Sequence, residues 1–115
     1  MPNTITYKEL FQPVAILTTE TTIYEQTDSS STGVAINISA YICNTTSAGI
    51  SVTFYNKETS ATAAGTGNQY KNSIVVPGNG DYPIVLPVLS ANRIITAIAA
   101  STGLTIHCTS GTVIN

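Results

Sequence analysis

Residues 34–56, VAINISAYICNTTSAGISVTFYN, carry the clearest secondary-structure signal in the chain. Apolar and polar residues alternate from residue 34 to residue 44 and again from residue 50 to residue 56, which is the period of a half-buried β-strand. The cluster NTTSAG between them has turn chemistry. The two strands are therefore predicted to pair as an antiparallel hairpin. In the first strand one face is predicted to hold Val34, Ile36, Ile38, Ala40 and Ile42.

The rest of the chain repeats this short-strand pattern and contains no amphipathic helix. Further strands are predicted at residues 14–18, 22–26, 70–76, 82–87, 93–100, 104–109 and 111–115. Residues 27–33 and 58–69 are predicted loops, and 93–100 with 104–109 is predicted to form a second hairpin. Pro83 and Pro87 lack a backbone donor, which predicts that their stretch lies at a sheet edge or in an extended connection. Such a series predicts an all-β fold, an antiparallel β-sandwich or jelly roll of about seven to nine short strands.

The first twelve residues differ from the rest because they show little strand periodicity. With 115 residues the chain is predicted to form one β-sandwich domain at 13–115, preceded by an N-terminal arm at 1–12. The arm and its junction carry four residues suited to a protein interface: Tyr7, Leu10, Phe11 and Pro13. We predict that they contact a neighbouring subunit; packing on the domain's own surface is the alternative.

Charged residues are unusually sparse. They make up 9% of the chain, against about 25% in ordinary soluble domains. The 19 Thr and 11 Ser residues take their place, and a hydroxyl surface costs less to bury against a partner than a charged one. A net charge of −2 with four scattered basic residues argues against nucleic acid as a partner. No apolar stretch approaches the roughly 20 residues of a membrane span.

No group of residues predicts catalysis, a metal or a cofactor. His107 falls on the hydroxyl-bearing face of its predicted strand, whereas Cys108 falls on the other face, so the two do not form a catalytic pair. Two cysteines and one histidine at these spacings match no zinc pattern. The N-terminus lacks the pattern of a secretory signal, which predicts synthesis in a cytoplasm with Cys43 and Cys108 reduced.

Four stretches resemble small structural proteins of tailed-bacteriophage virions. They are AILTTETTIYEQ at 15–26, VAINISAYICNTTSAGISVTFY at 34–55, VVPGNGDYPIVLPVL at 75–89 and NRIITAIAASTGLTIHC at 92–108. The resemblance lies in strands and turns and extends over about residues 15–113. Residues 1–12 and the loop at 58–69 are longer than is usual in such proteins, which leaves the location in the virion open.

The resemblance implies a virion structural protein without catalytic residues. The first expectation is a capsid decoration, or cement, protein that binds the major capsid protein lattice as a homo-oligomer, a dimer or a trimer, and stabilises the shell. The alternative is a tail, collar or fibre module with a structural or adhesive role. A small β-barrel enzyme or ligand carrier, with a pocket lined by tyrosines and Cys43, ranks last.

Overall fold

The structure, a computed structural model, describes residues 5–26, 34–59, 61–90 and 92–114. Within them the regular elements are nine β-strands and one 3-10 turn at Thr66–Asn68. The strands are β1 (Ile5–Tyr7), β2 (Val14–Ile16), β3 (Thr21–Glu25), β4 (Val34–Asn44), β5 (Ile50–Lys57), β6 (Gln69–Val76), β7 (Asp81–Leu86), β8 (Ile94–Ala99) and β9 (Leu104–Ile114). The predicted loop at 27–33 and the first four residues of the predicted arm lie outside the described residues.

The strands form two antiparallel sheets that pack face to face. Sheet A has the order β1-β9-β4-β7, with β2 also paired to β9, and sheet B has the order β3-β8-β5-β6. The pairings are nested, since β5 pairs with β6, β4 with β7, β3 with β8, and β2 with β9. A long hairpin rolled into two sheets gives this order, which is that of a jelly roll. The predicted all-β sandwich is confirmed.

Aliphatic side chains from both sheets fill the space between them. The inner faces of β4 and β9 contribute Ile38, Ile42 and Ile106, and those of β5 and β8 contribute Phe54 and Ile95, all with no exposed surface. Each such side chain contributes roughly 1.5–3 kcal/mol by leaving water. Alternate positions of the same strands face outward, and this alternation is the signal that the sequence carries.

The predicted hairpin between β4 and β5 is wrong. β4 lies in sheet A between β9 and β7, whereas β5 lies in sheet B between β8 and β6. Residues 45–49 therefore cross from one sheet to the other. The second predicted hairpin is wrong for the same reason, because residues 100–103 carry the chain from β8 in sheet B to β9 in sheet A. A five-residue or four-residue turn suits both a hairpin and a crossing, so turn composition alone does not separate them.

Asn44 holds the β4–β5 crossing in place. Its side chain is buried, and its Nδ2 donates to the carbonyl oxygens of Ala48 at 2.8 Å and Val76 at 3.0 Å. Its Oδ1 accepts from the backbone N–H of Thr46 at 2.9 Å and from the Thr46 hydroxyl at 2.7 Å. One amide thus ties the turn to the end of β6 in sheet B.

Replacing Asn44 by alanine is expected to lower the free energy of unfolding by about 2 kcal/mol, because the buried carbonyl of Val76 loses its donor. The apparent melting temperature should fall by about 8 °C. Thermal unfolding followed by circular dichroism measures both values. The matched control is Asn72→Ala on the exposed part of β6, which should change stability by less than about 0.5 kcal/mol. Equal effects from the two substitutions would show that the Asn44 hydrogen bonds do not hold the crossing.

The predicted inner face of β4 is correct only for its second half. Ile38, Ala40 and Ile42 are buried as predicted, but in the first half Ala35 is buried and Ile36 is half-buried. Asn37 adopts a φ of 53°, and the register with β9 shifts between Ile36 and Ser39. This bulge moves the strand by one residue, so that opposite positions face the core on its two sides.

The two ends of the chain also differ from prediction. Residues 104–109 and 111–115 were predicted as separate strands, yet residues 104–114 form one continuous strand, β9. Residues 5–7 of the predicted arm form strand β1, which pairs with Thr112–Ile114 of β9. Both changes arise because sheet A continues past the point where the sequence loses its alternation. The prediction of a sheet edge for residues 82–87 is confirmed, since β7 is the last strand of sheet A.

Candidate interaction surfaces

The outer face of sheet A carries a ladder of rings across three strands. The register places Tyr41 of β4 between His107 of β9 and Pro83 of β7. The Tyr41 and His107 rings stack with 4.9 Å between their centroids and an interplanar angle of 9°. His107 is predicted on the outer, hydroxyl-bearing face and lies there, but Tyr41 leaves it only half-exposed. This stacking gives the histidine a packing role.

The same outer face is almost without charge. Its outward positions, read from the pairing register and burial pattern, are Ala15, Ser39, Tyr41, Cys43, Asp81, Pro83, Val85, Thr105, His107 and Thr109. Among these described positions Asp81 is the one carboxylate and lies at the start of β7. Val85 is 61% exposed. A partner would therefore displace water from hydroxyl and apolar groups without stripping ions, which keeps the desolvation cost low.

The outer edges of β6 and β7 are poorly suited to adding another strand. Pro83 has no N–H to offer a further strand, and the Tyr70 hydroxyl donates to the Val85 carbonyl oxygen at 2.6 Å. In β6, Ser73 has a φ of 52°, and its N–H donates to the Thr53 hydroxyl of the neighbouring strand. Prolines and irregular backbone are the usual protection of edge strands. A partner is therefore better placed on a sheet face or at the other edge.

The other edge of sheet A is formed by the first part of the chain, here called the N-terminal segment and defined as residues 5–13. After β1, the N–H of Lys8 donates to the Gly111 carbonyl oxygen at 3.0 Å. The chain then leaves the ladder and rejoins β9 at β2, where Val14 pairs with Ile106. The segment thus runs along the whole second half of β9 with backbone pairing at its two ends.

The structure places the four predicted interface residues in different surroundings. Phe11 is 8% exposed and belongs to the core, with its ring centroid 6.0 Å from that of Tyr24. Leu10 is half-buried against the core, and Pro13 is exposed. For Tyr7 the structure describes the backbone pairing with Thr112. Leu10 and Phe11 pack on their own domain, which was the alternative at the sequence level, and contact with a neighbouring subunit stays a prediction.

Sheet B carries an ion pair that the sequence analysis does not predict. The Lys57 Nζ lies 2.6 Å from the Glu20 Oε2, and the Thr96 hydroxyl donates to the same oxygen at 2.8 Å. Lys57 is 3% exposed, whereas the Glu20 side chain is 35% exposed. The hydrogen bond from Lys57, followed by that from Thr96, holds the pKa of the Glu20 carboxyl below its usual range, and burial opposes this in part. The pair serves the fold, because its lysine has no access to solvent.

Residues of catalytic or metal-binding type are not gathered in the described parts of the chain. The residues that the structure describes contain no group of three or more His, Cys, Asp or Glu side chains placed to hold a metal ion. An open depression of about 610 Å³ lies at the start of β7, lined by Cys43, Asn44, Thr45, Asn79, Gly80 and Asp81. Of its two amide side chains, that of Asn44 is already committed to the crossing. Cys43 faces outward and Cys108 inward, so a disulfide does not join them.

Basic groups are also committed within the described structure. Lys57 is buried in its ion pair, and Arg93 donates to the Asn56 side chain through Nε at 3.3 Å and Nη2 at 3.2 Å. Lys71 lies over the Tyr70 ring, 5.5 Å from its centroid. In the described ranges, moreover, no helix has the length and apolar character that crossing a bilayer requires.

The sequence matches no protein-family model and no curated protein. The structure is similar to several solved ones. One is a chain of the Bacillus endospore appendages, described as disulfide-linked pili, with a TM-score of 0.57 and 17% identity over 99% of this chain and 89% of that one. Another is the T13 particle of infectious bursal disease virus, with a TM-score of 0.55 and 9% identity over 99% of this chain.

The chain spans 31% of the length of the chain from the T13 particle, and 32% of that from the Gx strain of the same virus, which it matches with a TM-score of 0.54. At these identities the similarity establishes a shared fold. The jelly roll described above is therefore one that is found in chains of both a viral particle and a pilus.

Proposed function

We propose that this protein is a non-enzymatic structural subunit of a virion, and specifically a bacteriophage capsid decoration protein that binds the major capsid protein lattice. The observation that carries the proposal is the outer face of sheet A, a broad, nearly uncharged surface backed by a tightly filled core. Its stacked Tyr41 and His107 and its exposed Val85 and Pro83 offer rigid contact area. A surface of this kind suits binding to another protein better than binding to a small molecule.

Decoration stabilises a shell by mass action. A protein that binds only the assembled lattice adds its binding free energy to the stability of that lattice. The interface of one copy need not be strong, because a homo-oligomer, a dimer or a trimer, engages several lattice sites at once and gains avidity. The sparse charge of the chain supports this interpretation, since many copies can then lie side by side without strong repulsion.

The alternative is a fibre-forming subunit of a tail or a cell-surface appendage. The specific observation in its favour is the match to the endospore pilus chain, which extends over 89% of that chain, whereas the viral chains are matched over about a third. That pilus is described as disulfide-linked. In the present chain Cys43 is the half-exposed thiol and would be the residue available for such a link.

Quantitative mass spectrometry of purified particles tests the proposal and separates the two functions. Particles are isolated from the cells that express the chain and imaged by electron microscopy with antibody against it. A decoration protein should be present in hundreds of copies and label the shell uniformly. Twelve or fewer copies, or label confined to filaments, would favour the fibre alternative. Absence of the chain from every particle and filament fraction would overturn both.

A further inference from the structure

The groove along β9 contains a socket shaped for Leu10 and Phe11. Gly111 has no side chain there, and a Cβ at this position would lie 2.6 Å from Cγ and Cδ1 of Leu10. The backbone N–H of Leu10 points at the Cys108 Sγ, 3.4 Å away, and the Phe11 side chain is buried in the core beside Tyr24. A side chain at residue 111 would force the Leu10 side chain to shift, so this glycine leaves the space that Leu10 occupies.

The segment in this socket is joined to the rest of the domain through an exposed junction. Gln12 and Pro13 are both exposed and separate the buried Phe11 from β2. A proline fixes its own φ and restricts the residue before it to extended conformations, so this junction favours a straight path. Because β1 is an outer strand of sheet A, the segment can leave its groove without breaking the pairing between any other two strands.

We propose that neighbouring copies in the assembly exchange this segment, so that residues 5–11 of one copy occupy the β9 groove of the next. The inference rests on the proposed function, since exchange requires an assembly. The occupant is a second copy of this chain, and its fit to the socket is already visible within one copy. It also reconciles the predicted interface role of Tyr7, Leu10, Phe11 and Pro13 with the burial of Phe11.

Exchange replaces each contact by the same contact made between copies. In the closed form each segment lies in its own groove, and in the exchanged form it lies in the groove of the next copy. The two forms therefore differ mainly in the conformation of the junction at 12–13 and in the effective concentration of neighbouring grooves. In dilute solution the segment should stay in its own groove. In a lattice or fibre, where the next β9 groove is close, exchange should dominate and link the subunits.

The test is a mixed disulfide between two full-length variants. The donor carries Leu10→Cys, Cys43→Ser and Cys108→Ser, and the acceptor carries only Cys43→Ser, which leaves Cys108 in its socket. The two are mixed, unfolded, refolded together at high concentration and oxidised. A donor–acceptor dimer of about twice 12.0 kDa is expected on a non-reducing gel, with a disulfide between residues 10 and 108 identified by peptide mass, because the backbone N–H of residue 10 lies 3.4 Å from the Cys108 Sγ. The donor oxidised alone shows how much dimer forms between two donors.

Two controls make the outcome decisive. A same-chain variant with Leu10→Cys and Cys43→Ser retains Cys108, and its refolding shows that the disulfide can form. A donor with the exposed Leu17→Cys in place of Leu10→Cys should give no donor–acceptor dimer. Failure of the donor and acceptor to cross-link overturns the exchange. The same-chain variant is also tested for assembly on particles. If it assembles with its disulfide within one chain, the exchange fails and the proposed function stands. If the protein joins no assembly, the proposed function fails.

Discussion

Replacing Gly78 by alanine is expected to lower the free energy of unfolding by about 3 kcal/mol, because an added methyl group would overlap the neighbouring backbone. A Cβ there would lie 2.5 Å from the carbonyl carbon of Ser47 and 2.9 Å from the nitrogen of Ala48. Backbone cannot rotate aside as a flexible side chain can. The turn between β6 and β7 and the crossing at residues 45–49 would have to separate. This separation would strain the hydrogen bond from the Asn79 N–H to the Thr46 carbonyl oxygen, which is now 2.7 Å long.

The matched control is Gly67→Ala, the same chemical change at a glycine with no atom within 4 Å of the added Cβ. It should change stability by less than about 1 kcal/mol, whereas Gly78→Ala should lower the melting temperature by about 12 °C. Chemical denaturation at constant temperature measures the free energies. If both variants unfolded at the same denaturant concentration, the close packing of the two turns would not matter to the fold.

Glu20→Ala is expected to destabilise the protein by about 3 kcal/mol at neutral pH, because it leaves the Lys57 ammonium buried without its partner. Lys57→Met should have an effect of less than about 1 kcal/mol. It replaces the buried charge by an apolar chain of similar length and leaves a Glu20 side chain that is exposed enough to be hydrated. The two halves of one ion pair are therefore predicted to differ greatly in mutational cost.

The cost of Glu20→Ala should depend on pH. The pKa of the Glu20 carboxyl is lowered in the folded state, so the carboxylate stabilises the fold above the unfolded pKa, and that stabilisation is lost as pH falls through the folded pKa. The difference between wild type and Glu20→Ala should accordingly be constant near neutral pH and shrink once the pH falls below the ordinary pKa of a glutamate carboxyl, about 4.3. Denaturation curves at several pH values measure it, with Glu58→Ala on an exposed loop as the control. A pH-independent difference would show that the ion pair is not its source.

The sequence predicts the strands well and their partners poorly. Alternation from Val34 to Asn44 reflects local burial, and the strand has those bounds. Its neighbours in sheet A are β7 and β9, which are distant in sequence. No local pattern encodes these pairings. The most local assumption, a hairpin across residues 45–49, fails because the chain crosses from sheet A to sheet B between β4 and β5.

The interaction surfaces were also predictable in part. Low charge and abundant hydroxyls in the sequence indicate a surface suited to burial, and the outer face of sheet A has this composition. The stacking of Tyr41 on His107 was not predictable, since the two residues meet through long-range register. Lys57 gives no signal either, because its burial comes from Glu20, which is 37 residues away in the chain. An acidic residue and a lysine at that distance are ordinary in any sequence.

The central place of β9 has a consequence for synthesis. β9 is the last strand of the chain described here, and it pairs with β1, β2 and β4, so sheet A has no interior until residues 104–114 are available. During translation the earlier strands must wait without their main partner until this stretch has left the ribosome. A chain that stops before it cannot complete the fold. Folding itself thus selects against prematurely terminated chains.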